Sequence, residues 1–156
     1  MARIAYNPFL ANHLTPKATV GQVYDGIDAY GSNAKFRYVQ FLDAVTYIKG
    51  HVVTAANAAG TAVTNDRSGG SAVYVTRAAG VALRAMTENY YGYIQVTGRA
   101  VVQTDDGVAA GESLVAHTVD GECDTMAAGE EHLVFGFTLA ADASDQGIAW
   151  LTGCPA

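Results

Sequence analysis

After Arg99 this chain of 156 residues contains no lysine and no arginine. All nine basic residues lie at or before that position, beside five of the fifteen acids; residues 100–156 carry the other ten. The first 99 residues therefore sum to +4 and the remainder to −10, within an overall charge of −6. A net negative chain lacks the basic footprint that general nucleic-acid binding requires, so no nucleic-acid partner is expected. The asymmetry has two readings. Residues 100–156 form one solvated acidic face, or surfaces of opposite sign meet between neighbouring copies.

Cysteine is nearly absent. Two residues, Cys123 and Cys154, cannot make a disulfide framework in a chain of this length, and free thiols in a reducing cytoplasm are expected. No apolar run approaches the roughly 18 residues that suggest a membrane-spanning helix, so no membrane partner is expected. The N-terminus "MARIAYNPFL" lacks a cationic stretch followed by a long apolar one, and is not read as a signal peptide. Large apolar side chains are also scarce. Alanine supplies 28 of the apolar residues, beside nine Tyr, five Phe and one Trp. A modest core is expected, with oligomerisation adding stability.

Catalytic signatures are missing as well. There is no P-loop, Gly-x-Ser-x-Gly elbow or dinucleotide fingerprint. "GSNAK" and "RSGGS" are glycine-rich, but no helix follows either to present amides to a phosphate. The four histidines, His13, His51, His117 and His132, have no His or Cys neighbour at zinc-site spacing. His117 and Cys123, six apart with acids between, are a weak metal suggestion. "GEEHL" (129–133) reads as a solvated turn. "TDDG" (104–107) and "VDGECD" (119–124) lack the full alternation of a calcium loop and read as hairpin turns. No enzyme activity, metal or cofactor is expected.

What is present is β structure. "KFRYVQFL" (35–42), "SAVYVTR" (71–77), "YYGYIQVTG" (90–98), "SLVAHTV" (113–119) and "HLVFGFTLA" (132–140) are short runs rich in β-branched and aromatic residues, bounded by Gly, Asp and Asn. Together with "AVTYIKG", "HVVTAA", "GVALRAM", "RAVVQT" and "GIAWLTG" they predict nine or ten short strands in an all-β sandwich or barrel. "AANAAGTA" (55–62) is broken by Asn57 and Gly60 and reads as a loop; "LRAMTENYY" (83–91) has room for one helical turn.

Residues 1–34 differ. Pro8, Pro16 and scattered Gly and Asn interrupt any period, yet spaced large apolar groups argue against a plain disordered tail. An extended arm is expected, docking on its own domain, a neighbouring copy or another protein. Arg3, Tyr6, Phe9, Leu10, Lys17, Tyr24 and Tyr30 are its candidate interface residues. The remainder, 35–156, is the β domain.

That domain repeats itself. "GVALRA" (80–85) precedes "GYIQVTG" (92–98), and "GFTLAA" (136–141) precedes "GIAWLTG" (147–153), with short polar connections of six and five residues. Ile94 and Val96 then match Ala149 and Leu151 on one strand face, while Gln95 matches Trp150 on the other. One division is two pseudo-repeated units, 35–91 and 92–153, sharing a core. Tyr90, Tyr91, Tyr93 and Trp150 form a candidate aromatic surface, suited to a sugar or to a subunit contact.

Across residues 35–153 the sequence resembles the head decoration, or cement, proteins of tailed bacteriophages. The resemblance rests on a "G-x-A-L" strand (Gly80 to Leu83), a "G-x-x-x-V-x-G" strand (Gly92 to Gly98) and an "A-G-[DE]-x-L" turn (Ala110 to Leu114). It implies a structural virion protein, made in the host cytoplasm and carried on the capsid surface. It also implies a homotrimer that clamps adjacent copies of the major capsid protein. The alternatives are a carbohydrate-binding or adhesin domain, or another phage structural part such as a tail or head-fibre base.

Overall fold

A computed structural model of the chain describes residues 8–10, 12–42, 46–67, 77–105 and 107–153. Twelve strands are described, more than the nine or ten expected, because strands also form at 12–13 and 23–27 in the arm and at 62–64 and 123–125, whereas the described part of "AVTYIKG" (44–50) holds only an isolated bridge at Tyr47. The fold is all-β. The strand predicted within 71–77 lies almost wholly outside the described residues. Residues 83–90 hold a bend, a bridge from Met86 to Tyr47 and a turn at 88–89, and no helix. Among the described residues no helix is long and apolar enough to cross a membrane.

The first sheet contains β1 (Asn12–His13), β2 (Val23–Ile27), β3 (Asn33–Phe41), β4 (Val52–Ala55), β5 (Ala62–Thr64), β6 (Ala78–Ala82) and β7 (Tyr91–Gln95). Five of these, in the order β7-β6-β4-β5-β3, close on themselves because β3 also pairs with β7. That seam is a five-residue antiparallel ladder from Phe36↔Gln95 to Gln40↔Tyr91. Closure removes free strand edges, the standing liability of β proteins. β2 extends β3 as an antiparallel hairpin, and β1 pairs with β7.

The second sheet contains β8 (Gly98–Gln103), β9 (Ser113–Ala116), β10 (Cys123–Thr125), β11 (Gly136–Thr138) and β12 (Gln146–Leu151), in the order β10-β9-β11-β12-β8. All its ladders are antiparallel. One apolar cluster joins the two sheets: Val39, Phe41, Val53, Val63 and Ile94 from the first meet Val102, Leu114, Ala149 and Leu151 from the second, with Tyr47 and Phe135 added from the connections. Each large side chain fully buried there contributes roughly 1.5–3 kcal/mol. Tyr47 lies wholly inside, and its hydroxyl donates to the carbonyl of Leu42.

The repeated words fold alike. Val81↔Gln95 and Ala82↔Ile94 pair in the first sheet; Phe137↔Trp150 and Thr138↔Ala149 pair in the second. These are equivalent positions of the two copies in identical register. The leading glycines share an environment too. A Cβ on Gly80 would lie 2.7 Å from the carbonyl oxygen of Gln95, and one on Gly136 would lie 2.6 Å from that of Trp150. Both glycines let a neighbouring backbone approach closer than any side chain permits. Strand β7, at the head of the proposed second unit, pairs within the first sheet.

The described part of residues 1–34 lies against its own chain. Phe9 stacks on Phe36 with centroids 4.1 Å apart and meets the edge of Tyr93 at 5.0 Å. Tyr24 meets Tyr93 edge-on at 5.7 Å. The outward rings of β3 and β7 are thus covered from within the molecule.

Candidate functional site

Strand alternation gives the second sheet an apolar outer face. On β12 the residues Gly147, Ala149 and Leu151 point inward, leaving Ile148 and Trp150 on the other side. Phe137 sits directly opposite Trp150, Val101 opposite Ile148, and Arg99 opposite Trp150 on the other flank. Phe137, Leu139 and Ile148 remain 37%, 41% and 37% exposed. A contiguous apolar face of this kind marks a contact surface more often than a lone exposed residue does.

Beside it lies a cleft of about 470 Å3, lined by Leu10, Tyr30, Lys49, Leu83, Arg84 and Val101 among others. Two candidate arm residues, Leu10 and Tyr30, therefore share one surface feature. Arg84 holds the segment in place, donating from Nη1 to the Leu10 carbonyl at 2.8 Å. Phe9 and Tyr24 are instead committed to the aromatic cluster within the chain. Lys17 is exposed, and its amide donates to the Tyr38 hydroxyl at 3.0 Å. Arg3 and Tyr6 lie outside the described residues.

The four candidate aromatic residues are not brought together. Tyr93 is enclosed by Phe9, Tyr24 and Tyr38, and Tyr91 stacks on Tyr38. Burial pushes the hydroxyls of Tyr38 and Tyr93 above the usual tyrosine range. Trp150 stands on the other sheet, and among the described residues no ring contact joins it to these tyrosines. Its counterpart Gln95 has a different task. Gln95 is buried, and its Nε2 donates to the carbonyls of Thr97 and Arg99 at 3.0 and 2.8 Å, fixing the turn between the sheets. The same strand position serves a turn in one copy and an open face in the other.

Cys123 is not placed as a ligand beside His117. The thiol is buried and donates to the Gln103 carbonyl at 3.2 Å, and burial pushes its pKa far up. Alternation sends the flanking acids Glu122 and Asp124 to the other side of the strand, where they meet His117. Asp105 joins them: its Oδ2 is 3.7 Å from His117 Nε2, and Asp124 Oδ2 is 3.9 Å away. The spacing between His117 and Cys123 gave no sign of Asp105, which arrives through a parallel bridge between Thr104 and Cys123.

No family model and no curated protein matches the chain. A solved structure does. The head fiber gp8.5 N base of bacteriophage phi29 aligns with a TM-score of 0.53 at 10% sequence identity. The alignment covers 78% of this chain and 97% of that one. At this identity the likeness is one of fold.

Proposed function

We propose that the chain is a structural protein of a phage virion, the base of an appendage mounted on the outside of the head. The observation that carries this reading is the fold likeness to nearly the whole length of a head fiber base. The decoration-protein resemblance points to the same particle and the same outer surface. Clamping of adjacent major capsid proteins is its narrower form, and the fold likeness favours the fibre-base form over it.

The physics of such a role is linkage. A protein that binds only the assembled shell stabilises that shell by mass action, and many copies multiply a modest contact. The apolar face around Phe137, Ile148 and Trp150 supplies contact area, and the cleft at Leu10 and Tyr30 offers a second. The opposite charges of residues 1–99 and 100–156 suit a head-to-tail arrangement, in which one copy's basic part meets the next copy's acidic part. A homotrimer is the form we propose.

The test is co-sedimentation with shells assembled from the major capsid protein encoded in the same genome, alongside light scattering of the free chain. Saturable binding to shells, with no binding to unassembled capsid protein, is the expected result. A monomer that stays in the supernatant at every shell concentration would overturn the proposal.

A further inference from the structure

We propose that Asp105, His117 and Asp124 form a binding site for one divalent transition-metal cation, with Glu122 orienting the imidazole. The backbone places these groups side by side. The His117 amide donates to the Glu122 carbonyl at 3.0 Å, continuing the β9–β10 ladder one residue beyond β9. On the opposite edge of β10, the Asp105 amide donates to the Cys123 carbonyl at 2.9 Å. Three adjacent segments thus present Asp105, Asp124 and His117 on one face, and one ligand atom from each lies within 4.8 Å of the others.

The spacing suits a cation. Bonds of about 2.0–2.2 Å in a tetrahedral shell place ligand atoms roughly 3.3–3.6 Å apart. The His117 Nε2 contacts of 3.7 and 3.9 Å need only small side-chain movements to reach that. The second ring nitrogen is provided for: Nδ1 lies 4.0 Å from Glu122 Oε2, the carboxylate–histidine pairing that orients a metal-bound imidazole. In the metal-free arrangement the Val119 amide donates to Nδ1 across 3.3 Å. Binding at Nε2 releases that long hydrogen bond and turns Nδ1 into a donor toward Glu122.

Charge is a second, independent ground. Three carboxylates surround one imidazole, so the group is net negative even when His117 is protonated. A dication is complementary in charge to this group. The donor set selects the class: one imidazole and two carboxylates suit zinc, cobalt or manganese, whereas calcium and magnesium take oxygen ligands. With His117 only 20% exposed and Asp105 47% exposed, the site opens to solvent on one side, where water completes the shell. The bound cation would fasten the segment after β8 to the β9–β10 hairpin.

The test uses the full chain stripped with a chelator and titrated with Co2+, followed by calorimetry, visible absorption and thermal unfolding. One Co2+ per chain is expected, with a raised unfolding temperature and no thiolate charge-transfer band. His117→Gln should abolish binding, and Glu122→Gln should weaken it by roughly 10–100-fold. Circular dichroism checks the fold; should His117→Gln fail to fold, Asp105→Asn at its more exposed position carries the same test. Absence of stoichiometric binding, undiminished binding in the folded ligand variant, a thiolate band, or displacement by equimolar Ca2+ would each overturn the proposal.

Discussion

The carboxylate of Asp28 accepts a hydrogen bond from the backbone amide of Arg99 at 2.8 Å, across 71 positions of sequence. Its other oxygen accepts from the amides of Tyr30 and Ser32, both at 2.9 Å. One buried acid therefore shapes the β2–β3 turn and ties it to the first residues of the second sheet. Hydrogen bonds to a charged acceptor are each worth roughly 1.5–3 kcal/mol, and removing the acceptor strands their donors. Asp28→Ala is expected to lower stability by about 2–4 kcal/mol in urea unfolding. A loss below about 0.5 kcal/mol would mean that water replaces the carboxylate without cost.

The two hairpins of the repeat predict matched sensitivity. Gly80→Ala and Gly136→Ala each drive a methyl group against a backbone carbonyl, which cannot swing aside as a flexible side chain would. Each should cost about 1–3 kcal/mol, comparable to overpacking elsewhere. Thermal unfolding of both variants checks this; a neutral alanine at either position would show that the hairpin shifts freely.

His51 should impose a pH dependence. Desolvation lowers its pKa below the ordinary histidine value, and the Asp120 carboxylate only partly offsets that. Asn65 Nδ2 lies 2.9 Å from Nδ1, which suits a neutral ring accepting the hydrogen bond. The unfolded chain then takes up a proton before the folded one does. The contribution is full above about pH 6.5 and is lost as pH falls from there toward the folded pKa. Subtracting the stability–pH curve of His51→Gln from that of the wild type isolates this slope. A flat difference between pH 7 and 5 would refute it.

The Cys123 thiol should be inert while the chain is folded. It is fully buried, and its raised pKa keeps it out of the nucleophilic thiolate form. In a Cys154→Ser background, alkylation should follow global unfolding and become fast in urea. Rapid labelling under native conditions would contradict the packing of β10.

The outer face of the second sheet can be separated from the fold. Ile148→Lys, at an exposed position, should change stability by less than about 0.5 kcal/mol. If this face makes the contact, Trp150→Ala should weaken self-association or shell binding by about 2 kcal/mol, roughly 30-fold. Equilibrium sedimentation and the shell assay read the two outcomes.

The all-β class was legible because β-branched and aromatic runs alternate between glycines at short intervals, as in "KFRYVQFL" and "YYGYIQVTG". The repeat was legible for a physical reason: Gly80 and Gly136 answer the same backbone contact, so the same residue recurs at the same offset. Other features were not legible. Residues 1–34 read as an extended arm because nothing local announces partners; Phe9 stacks on Phe36 only because Gly26 has no side chain to strike the two rings. Tyr90, Tyr91, Tyr93 and Trp150 looked like one aromatic group, yet the turn fixed by Gln95 leaves the three tyrosines at or beside β7 in the first sheet and Trp150 in the second. The Asp105–His117–Asp124 cluster depends on a parallel bridge between segments 19 positions apart, Thr104 and Cys123, which no local spacing encodes.

The barrel seam also governs how the chain can form on the ribosome. Residues 36–40 must wait for residues 91–95, and until those emerge the described pairings of β3 are the hairpin with β2, which reaches Arg37, and a two-residue pairing with β5. Long-range pairing of this kind is slow and leaves strand edges open to strangers. A nascent chain arrested before residue 91 would therefore hold its apolar β3 face against whatever protects it. Closure of the first sheet becomes a single late event, set by the arrival of β7.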